Sequence, residues 1–237
     1  MKKIFYIGIG MLLLAGCAHE NKSGEAAKAA HAESLQEQEK EIVAVRDSCR
    51  DAAATLGDDI NNLLRDFTTV NKTQEVSGYS IFQGWENRYP LKSTGVVARL
   101  AEGGEFELIA ALSGGVFDQI RVEVEQESAQ TNVVPNDQAL NYRAAGLTTV
   151  MFSGPEALKV GELIMDNELN NLKVVYLQNG KPTGSWKMAH DNVKMISMTA
   201  MLGLKEQELH RVENRGMLME NKLQLIREHL HTGPASK

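Results

Sequence analysis

Hydrophobic residues recur at intervals of seven towards both ends of the chain. The first repeat comprises Leu35, Ile42, Cys49, Leu56, Leu63 and Val70. The second comprises Met195, Leu202, Leu209, Gly216, Leu223 and Leu230. Most of these positions have an apolar companion three or four residues further on, which is typical of a long helix that packs along one stripe. The pattern predicts two long helices, over residues 34–77 and 191–231.

Neither helix can bury an apolar stripe by itself in water. The two helices are therefore expected to pack antiparallel on each other as a coiled-coil stalk, with Cys49 near the level of Gly216. The alternative is that each helix pairs with its copy in a second chain, giving a homodimer in which Cys49 is placed for a disulfide between chains.

The periodicity changes from helical to alternating between residues 92 and 190. Two alternating runs flank Gly103-Gly104, a third covers Ile120 to Glu127, a fourth covers Leu147 to Phe152, and a final hairpin turns at Asn179-Gly180. Such runs around tight-turn residues predict antiparallel strands. Pro155 suits the first turn of a helix that continues to about Asn167. The expected fold is α+β, with a mostly antiparallel β head domain that carries one helix.

Residues 78–91, which join the first predicted helix to the head, are rich in aromatic side chains. We call this segment the aromatic collar; its aromatic residues are Tyr79, Phe82, Trp85 and Tyr89. They form a candidate partner or ligand surface, because aromatic rings stack on sugars, peptides and protein partners. The competing interpretation, which the pattern favours, is that the collar packs the head onto the helices.

Methionines in the second long helix suggest a weaker candidate site. Met195, Met198 and Met201 are spaced by three, and soft thioether ligands suit Cu(I). The favoured interpretation is that these flexible side chains fill gaps in a core. The acidic row Glu123, Glu125 and Glu127 is interpreted as a solvated strand face, and no metal or cofactor is predicted.

Composition and motifs narrow the classes of function. The 237 residues are 43% hydrophobic and 24% charged, as in ordinary globular proteins, and the formal net charge is −6. No run of Lys and Arg provides the basic face that nucleic-acid binding needs, so no nucleic-acid partner is expected. The sequence contains no nucleophile-elbow, HExxH or phosphate-loop motif, which favours a protein without enzymatic activity.

The amino terminus resembles the export signal of bacterial lipoproteins. Lys2 and Lys3 precede an apolar run of 12 residues, Ile4 to Ala15, which is too short to span a bilayer. The sequence Leu14-Ala15-Gly16-Cys17 is similar to the lipobox of that class. The resemblance implies a signal peptide over 1–16 and lipidation of Cys17, and Ala18 implies transfer to the outer membrane.

These observations predict a lipid-anchored protein of the cell envelope. A flexible tether over 17–33 is expected to follow the lipid, and a short tail over 232–237 to follow the second helix. The expected function is a non-enzymatic structural or interaction module that presents its β head to an envelope protein. The alternative is a periplasmic lipoprotein that binds a small ligand or Cu(I).

Overall fold

A computed structural model describes residues 22–71 and 77–232. Its helices are α1 Lys22–Leu63, α2 Gly154–Asp166 and α3 His190–Thr232, and a short 3₁₀ helix, Leu64–Asp66, follows α1. The strands are β1 Phe67–Val70, β2 Tyr79–Phe82, β3 Gly95–Ala101, β4 Phe106–Ser113, β5 Gln119–Val124, β6 Glu127–Gln130, β7 Asn141–Ala144, β8 Leu147–Ser153, β9 Lys173–Gln178 and β10 Lys181–Lys187. The predicted signal peptide and Cys17 lie outside the described residues.

The strands form two antiparallel sheets, which confirms the predicted α+β class. The first sheet has the order β1-β2-β3-β4-β8-β7 and the second has the order β10-β9-β5-β6. The hairpins expected at Gly103-Gly104 and at Asn179-Gly180 are both present. Asn179 and Gly180 have φ values of 52° and 74°, the left-handed conformation that a two-residue hairpin turn requires.

The chain enters the sheet earlier than the sequence pattern predicts. The first long helix was expected to continue to residue 77, but α1 ends at Leu63 and Phe67–Val70 pairs with β2. Phe67 and Val70 match the seven-residue spacing, yet the segment Phe-Thr-Thr-Val has the β-branched and aromatic composition that strands favour. Strand β2, which lies within the collar, also pairs with β3, so the sheet domain begins before residue 92.

Two further expectations differ from the structure. The described part of the expected flexible tether, residues 22–33, is helical because α1 already begins at Lys22; this alanine-rich stretch has high helix propensity. The expected strand Ile120 to Glu127 is divided into β5 and β6 by a turn at Glu125, whose φ is 48°. Glu127 therefore lies on a different strand from Glu123.

The apolar stripe of each long helix is less exposed than the residues between its positions. Cys49 and Ile60 on α1 and Leu202 and Leu223 on α3 are fully or almost fully buried. The remaining positions of the stripes within the helices are at least partly buried, whereas most of the charged residues between them are exposed. The burial pattern agrees with the period that the sequence predicts.

Packing divides the chain into two units, and α1 and α3 contact each other within each of them. The described part of one unit consists of residues up to Val45 and from Met219 onward, and the other is Arg46–Leu218. In the first unit, Arg227 Nε lies 2.7 Å from Glu39 Oε1.

In the second unit, Cys49 lies beside Gly216, and Lys205 Nζ lies 2.6 Å from Asp59 Oδ2. Moving forward along α1 from Cys49 to Asp59 moves backward along α3 from Gly216 to Lys205. The two helices are therefore antiparallel in this unit.

Small residues allow α2, α3 and the first sheet to approach one another closely. An added Cβ at Gly161 on α2 would lie only 2.9 Å from the Ala200 side chain on α3 and 3.0 Å from the Phe106 ring on β4. Gly203 on α3 similarly faces Phe106 and Leu100. The main hydrophobic core lies between these helices and the sheets.

Candidate functional site

The aromatic collar packs around an arginine of the first sheet. Tyr79 and Tyr89 meet edge to face, with ring centroids 5.5 Å apart. The guanidinium carbon of Arg99 on β3 lies 4.6 Å from the centroid of Tyr79 and 5.2 Å from that of Tyr89. Cation–π attraction of this kind strengthens when water is excluded. The collar and β3 thus hold one cation between two rings.

The Arg99 side chain also makes a buried ion pair. Its Nε lies 2.5 Å from Oε2 of Glu107, which is directly opposite on β4, and both side chains are only 11% exposed. Its Nη1 donates to the Tyr89 hydroxyl at 3.1 Å, and its Nη2 lies 3.5 Å from Met151 Sδ. The charge is therefore paired and hydrogen-bonded, which is the condition under which a buried charge is tolerated.

Burial of the collar affects the ionisation of Tyr89. Loss of solvent around the hydroxyl raises the pKa of Tyr89 above its usual value, and the neighbouring Arg99 cation only partly opposes this effect. The hydroxyl therefore stays protonated at neutral pH and keeps its polar contact with the guanidinium. The contacts among Tyr79, Tyr89 and Arg99 therefore serve to hold the collar on the first sheet.

The four predicted surface aromatics are less available than a ligand platform requires. Tyr79 is 9% exposed and Trp85 is 7% exposed, and both belong to the main hydrophobic core. Phe82 and Tyr89 are partly buried, and Phe82 packs edge to face on Phe67 at 5.7 Å. The burial of Tyr79 and Trp85 agrees with the favoured interpretation, in which the collar packs against the rest of the protein.

The methionine alternative is also not supported by the geometry. Met195 is fully buried, and its Sδ accepts a hydrogen bond from the backbone N–H of Ala98 at 3.2 Å. Met198 and Met201 are only partly buried. Because the Met195 sulfur is already engaged in the core, the three thioethers do not form an open site for Cu(I). In the described parts of the chain, no group of three His, Cys, Asp or Glu side chains is arranged to hold a metal ion.

A cleft that sequence reasoning missed lies beside the collar. It has a volume of about 330 Å³ and lies between the collar, the end of β10 and the start of α3. Its walls include Trp85, Arg88 and Lys92 from residues 85–95, and Trp186 and Asn192 from later in the chain. The only sequence signal was the presence of two tryptophans, and their separation along the chain gives no indication that they line one cleft.

An exposed apolar patch was missed as well. The side-chain amide of Asn141 donates to the carbonyl of Phe117 at 3.1 Å and to that of Val134 at 2.8 Å. It therefore holds three chain segments together. Four of the six sequence neighbours of these residues are large, apolar and 39–56% exposed: Val116, Val133, Leu140 and Tyr142. We call these four residues the apolar patch.

The chain matches no family model, no curated protein and no solved structure in the comparisons made. Within residues 22–71 and 77–232, no helix is both long enough and apolar enough to cross a membrane. The functional interpretation therefore depends on the chain's own residues.

Proposed function

We propose that this protein is a lipid-anchored module of the cell envelope, carried by Cys17 and directed to the outer membrane. It binds another envelope protein rather than catalysing a reaction. The lipobox-like sequence at Leu14–Cys17 supports the anchor. In this proposal the anchor is covalent lipid, whose buried methylenes each contribute about 0.8 kcal/mol to membrane binding.

The proposal includes a coiled-coil stalk made by α1 and α3. The ion pairs Glu39–Arg227 and Asp59–Lys205 and the buried contact of Cys49 with Gly216 support it. The 42 residues of α1 lie along the chain between the expected lipid and the first strand. At 1.5 Å per residue, a helix of this length is about 60 Å long. Such a helix suits a spacer between an anchor and a binding domain.

The single observation that carries the binding function is the apolar patch. Large apolar side chains that are exposed together mark interaction surfaces more often than isolated ones do. Tyr142 belongs to β7, the last strand of the first sheet, and on the outer side of this strand Asn141 exchanges two backbone hydrogen bonds with Asp137. A protein partner is therefore expected to contact the exposed apolar side chains rather than to add a strand to β7.

The anchor is tested by metabolic labelling with a fatty acid in a bacterial host, followed by separation of membranes. The full chain is expected to be labelled and to sediment with the membranes. Cys17→Ser is expected to lose both properties, whereas the matched Cys49→Ser variant keeps both. Label and sedimentation that persist in Cys17→Ser would contradict the proposed anchor.

The binding function is tested with a photo-crosslinking amino acid placed in the full chain in intact cells. At Val133 or Tyr142 it is expected to give a discrete adduct with one envelope protein. Leu169 is the matched control, because this side chain is 95% exposed and apolar but lies in the loop after α2. Adducts that are absent at both patch positions, or identical at Leu169, would contradict the proposal.

A further inference from the structure

The cleft of about 330 Å³ beside the collar is lined by every tryptophan of the chain. The sequence contains two tryptophans, and both Trp85 and Trp186 contribute to this one cleft. Trp85 is almost fully buried, whereas Trp186, on the edge strand β10, is only partly buried. Trp186 therefore provides the exposed aromatic surface of this concave site, and little of the Trp85 ring is open to a ligand.

Hydrogen bonds to the core hold part of the cleft wall in place. The amide of Asn192 donates to the carbonyl of Val96 at 2.9 Å. The Thr94 hydroxyl accepts a hydrogen bond from the backbone N–H of Ser113 at 3.0 Å, and the carbonyl of Gly95 accepts one from the buried Tyr176 hydroxyl at 3.3 Å. The part of the cleft formed by Thr94, Gly95 and Asn192 is therefore held in place by the fold before any ligand arrives, which lowers the ordering cost of binding.

The cleft is cationic although the chain as a whole is acidic. Its lining residues include Arg88 and Lys92 but no Asp or Glu, whereas the net charge of the chain is −6. The guanidinium carbon of Arg88 lies 4.7 Å from the centroid of Trp85. Its nearest ion pair, to Asp191, is a loose contact of 3.9 Å between two side chains that are more than half exposed. Arg88 can therefore turn to an incoming anion at little cost.

We propose that this cleft binds a sugar that carries a carboxylate. The C–H face of a sugar ring stacks on the exposed part of the Trp186 indole, and the hydroxyls bond to the polar side chains of Asn87 and Ser93. The carboxylate pairs with Arg88 and Lys92 by charge-assisted hydrogen bonds. The volume of the cleft, about 330 Å³, is near the lower end of the range for ligand sites, about 300–1,000 Å³.

The aromatic surface and the two cations together select a sugar that carries a carboxylate over simpler ligands. A small inorganic anion has no ring that could stack on an indole. A neutral sugar leaves the two cations without a partner. This site goes beyond the protein-binding role proposed above, since the apolar patch and the cleft share no residue. The inference does not depend on the lipid anchor.

Intrinsic fluorescence measures binding directly, because all tryptophan emission comes from the cleft walls. The full chain in detergent is titrated with glucuronic acid against glucose, and with N-acetylmuramic acid against N-acetylglucosamine; sodium acetate serves as an anion without a ring. At least one acidic sugar is expected to give a saturable change with an affinity at least tenfold higher than that of its neutral counterpart and of acetate. The acidic sugar that binds more tightly identifies the source of the ligand.

Variants separate the cleft from nonspecific charge effects. Arg88→Gln and Lys92→Gln are each expected to lower the affinity about tenfold, the loss typical of one charge-assisted hydrogen bond. Lys187→Gln is the matched control, because Lys187 is an exposed cation next to Trp186 but does not line the cleft. Its affinity is expected to be unchanged. The absence of saturable binding to any acidic sugar, equal binding of the neutral sugar or acetate, or full affinity in both cleft variants would overturn the inference.

Discussion

At the scale of single residues, the Arg99 side chain makes several kinds of contact at once. It combines an ion pair with Glu107, a hydrogen bond to Tyr89 and stacking on two rings. A buried ion pair adds little net stability compared with an apolar pair of similar shape, but removal of one partner leaves an uncompensated charge. The cluster therefore holds the collar in one conformation on the sheet. Its effect on the free energy of unfolding becomes measurable when one partner is removed.

Glu107→Gln is expected to lower the free energy of unfolding by about 3 kcal/mol, because the neutral amide leaves the Arg99 charge buried without a counterion. Denaturant unfolding followed by circular dichroism measures the change. The control is Glu208→Gln, which removes an exposed ion pair with Arg211 and should leave stability unchanged. The double variant Arg99→Met/Glu107→Leu should recover much of the loss. Equal effects of Glu107→Gln and Glu208→Gln would contradict this assignment.

Two tyrosines, the buried Tyr176 and the partly buried Tyr89, are expected to make stability fall in alkaline solution. Burial raises the pKa of Tyr89 and of Tyr176 above the usual value of about 10. In the unfolded chain both hydroxyls lose their protons near pH 10, whereas in the folded chain they keep them to higher pH. The folded state then binds more protons, so the free energy of unfolding decreases as pH rises above about 10.

Urea unfolding at a series of pH values, with tyrosinate absorbance recorded in parallel, measures this effect. Tyr89→Phe and Tyr176→Phe are each expected to make the alkaline decrease shallower, because each removes one ionisable hydroxyl. An alkaline slope that is identical in the wild-type chain and in both variants would show that these tyrosines do not cause it.

At the scale of secondary-structure elements, the second long helix and two hairpins were predicted well, whereas the bounds of the first long helix and the short strands were not. The helix over 191–231 and the hairpins at Gly103-Gly104 and Asn179-Gly180 agree with the structure to within a few residues, because each has a strong local signal. Strands β1, β2, β6 and β7 were missed as strands. Each has four residues, too few to show an alternation, and each is specified by its partner strand rather than by its own sequence.

The candidate sites show the same limit. The collar aromatics were found because they are close together in the sequence, but their burial depends on Arg99 and Glu107, whose pairing is a matter of strand register. The cleft joins residues 85–95 to Trp186 and Asn192, and the patch joins three segments through the Asn141 amide. Such contacts can be inferred only when the topology is known, so the sequence pattern could not predict them.

Substitution of two helix glycines by alanine is expected to change the free energy of unfolding in opposite directions. Gly216→Ala is expected to raise the free energy of unfolding by about 0.5–1 kcal/mol, because alanine favours helix and its Cβ would make an ordinary 3.6 Å contact with Cys49. Gly161→Ala is expected to lower it by about 1–3 kcal/mol, since its Cβ would lie 2.9 Å from the Ala200 side chain. Thermal unfolding measures both. Destabilisation by Gly216→Ala would show that α1 and α3 pack more tightly there than described.

At the scale of the whole molecule, the question is whether the apolar stripes of α1 and α3 are satisfied within one chain or between two chains. Contacts between α1 and α3 occur within a single chain in both packing units, at Glu39–Arg227 and at Asp59–Lys205. Cys49 is 8% exposed and faces Gly216 of the same chain. These contacts favour the intramolecular pair over a homodimer in which each helix joins its own copy.

The thiol of Cys49 distinguishes the two arrangements. In the full chain with Cys17→Ser, Cys49 is the single thiol, and burial against Gly216 is expected to keep it from reacting with a thiol reagent until denaturant is added. Mild oxidation of the folded protein should then give no disulfide-linked dimer on a non-reducing gel. If the helices instead paired between parallel copies, the two Cys49 residues would lie at the same level of one interface, and oxidation would convert the chain to a covalent dimer. That dimer would refute the intramolecular stalk and assign the apolar stripes to self-association.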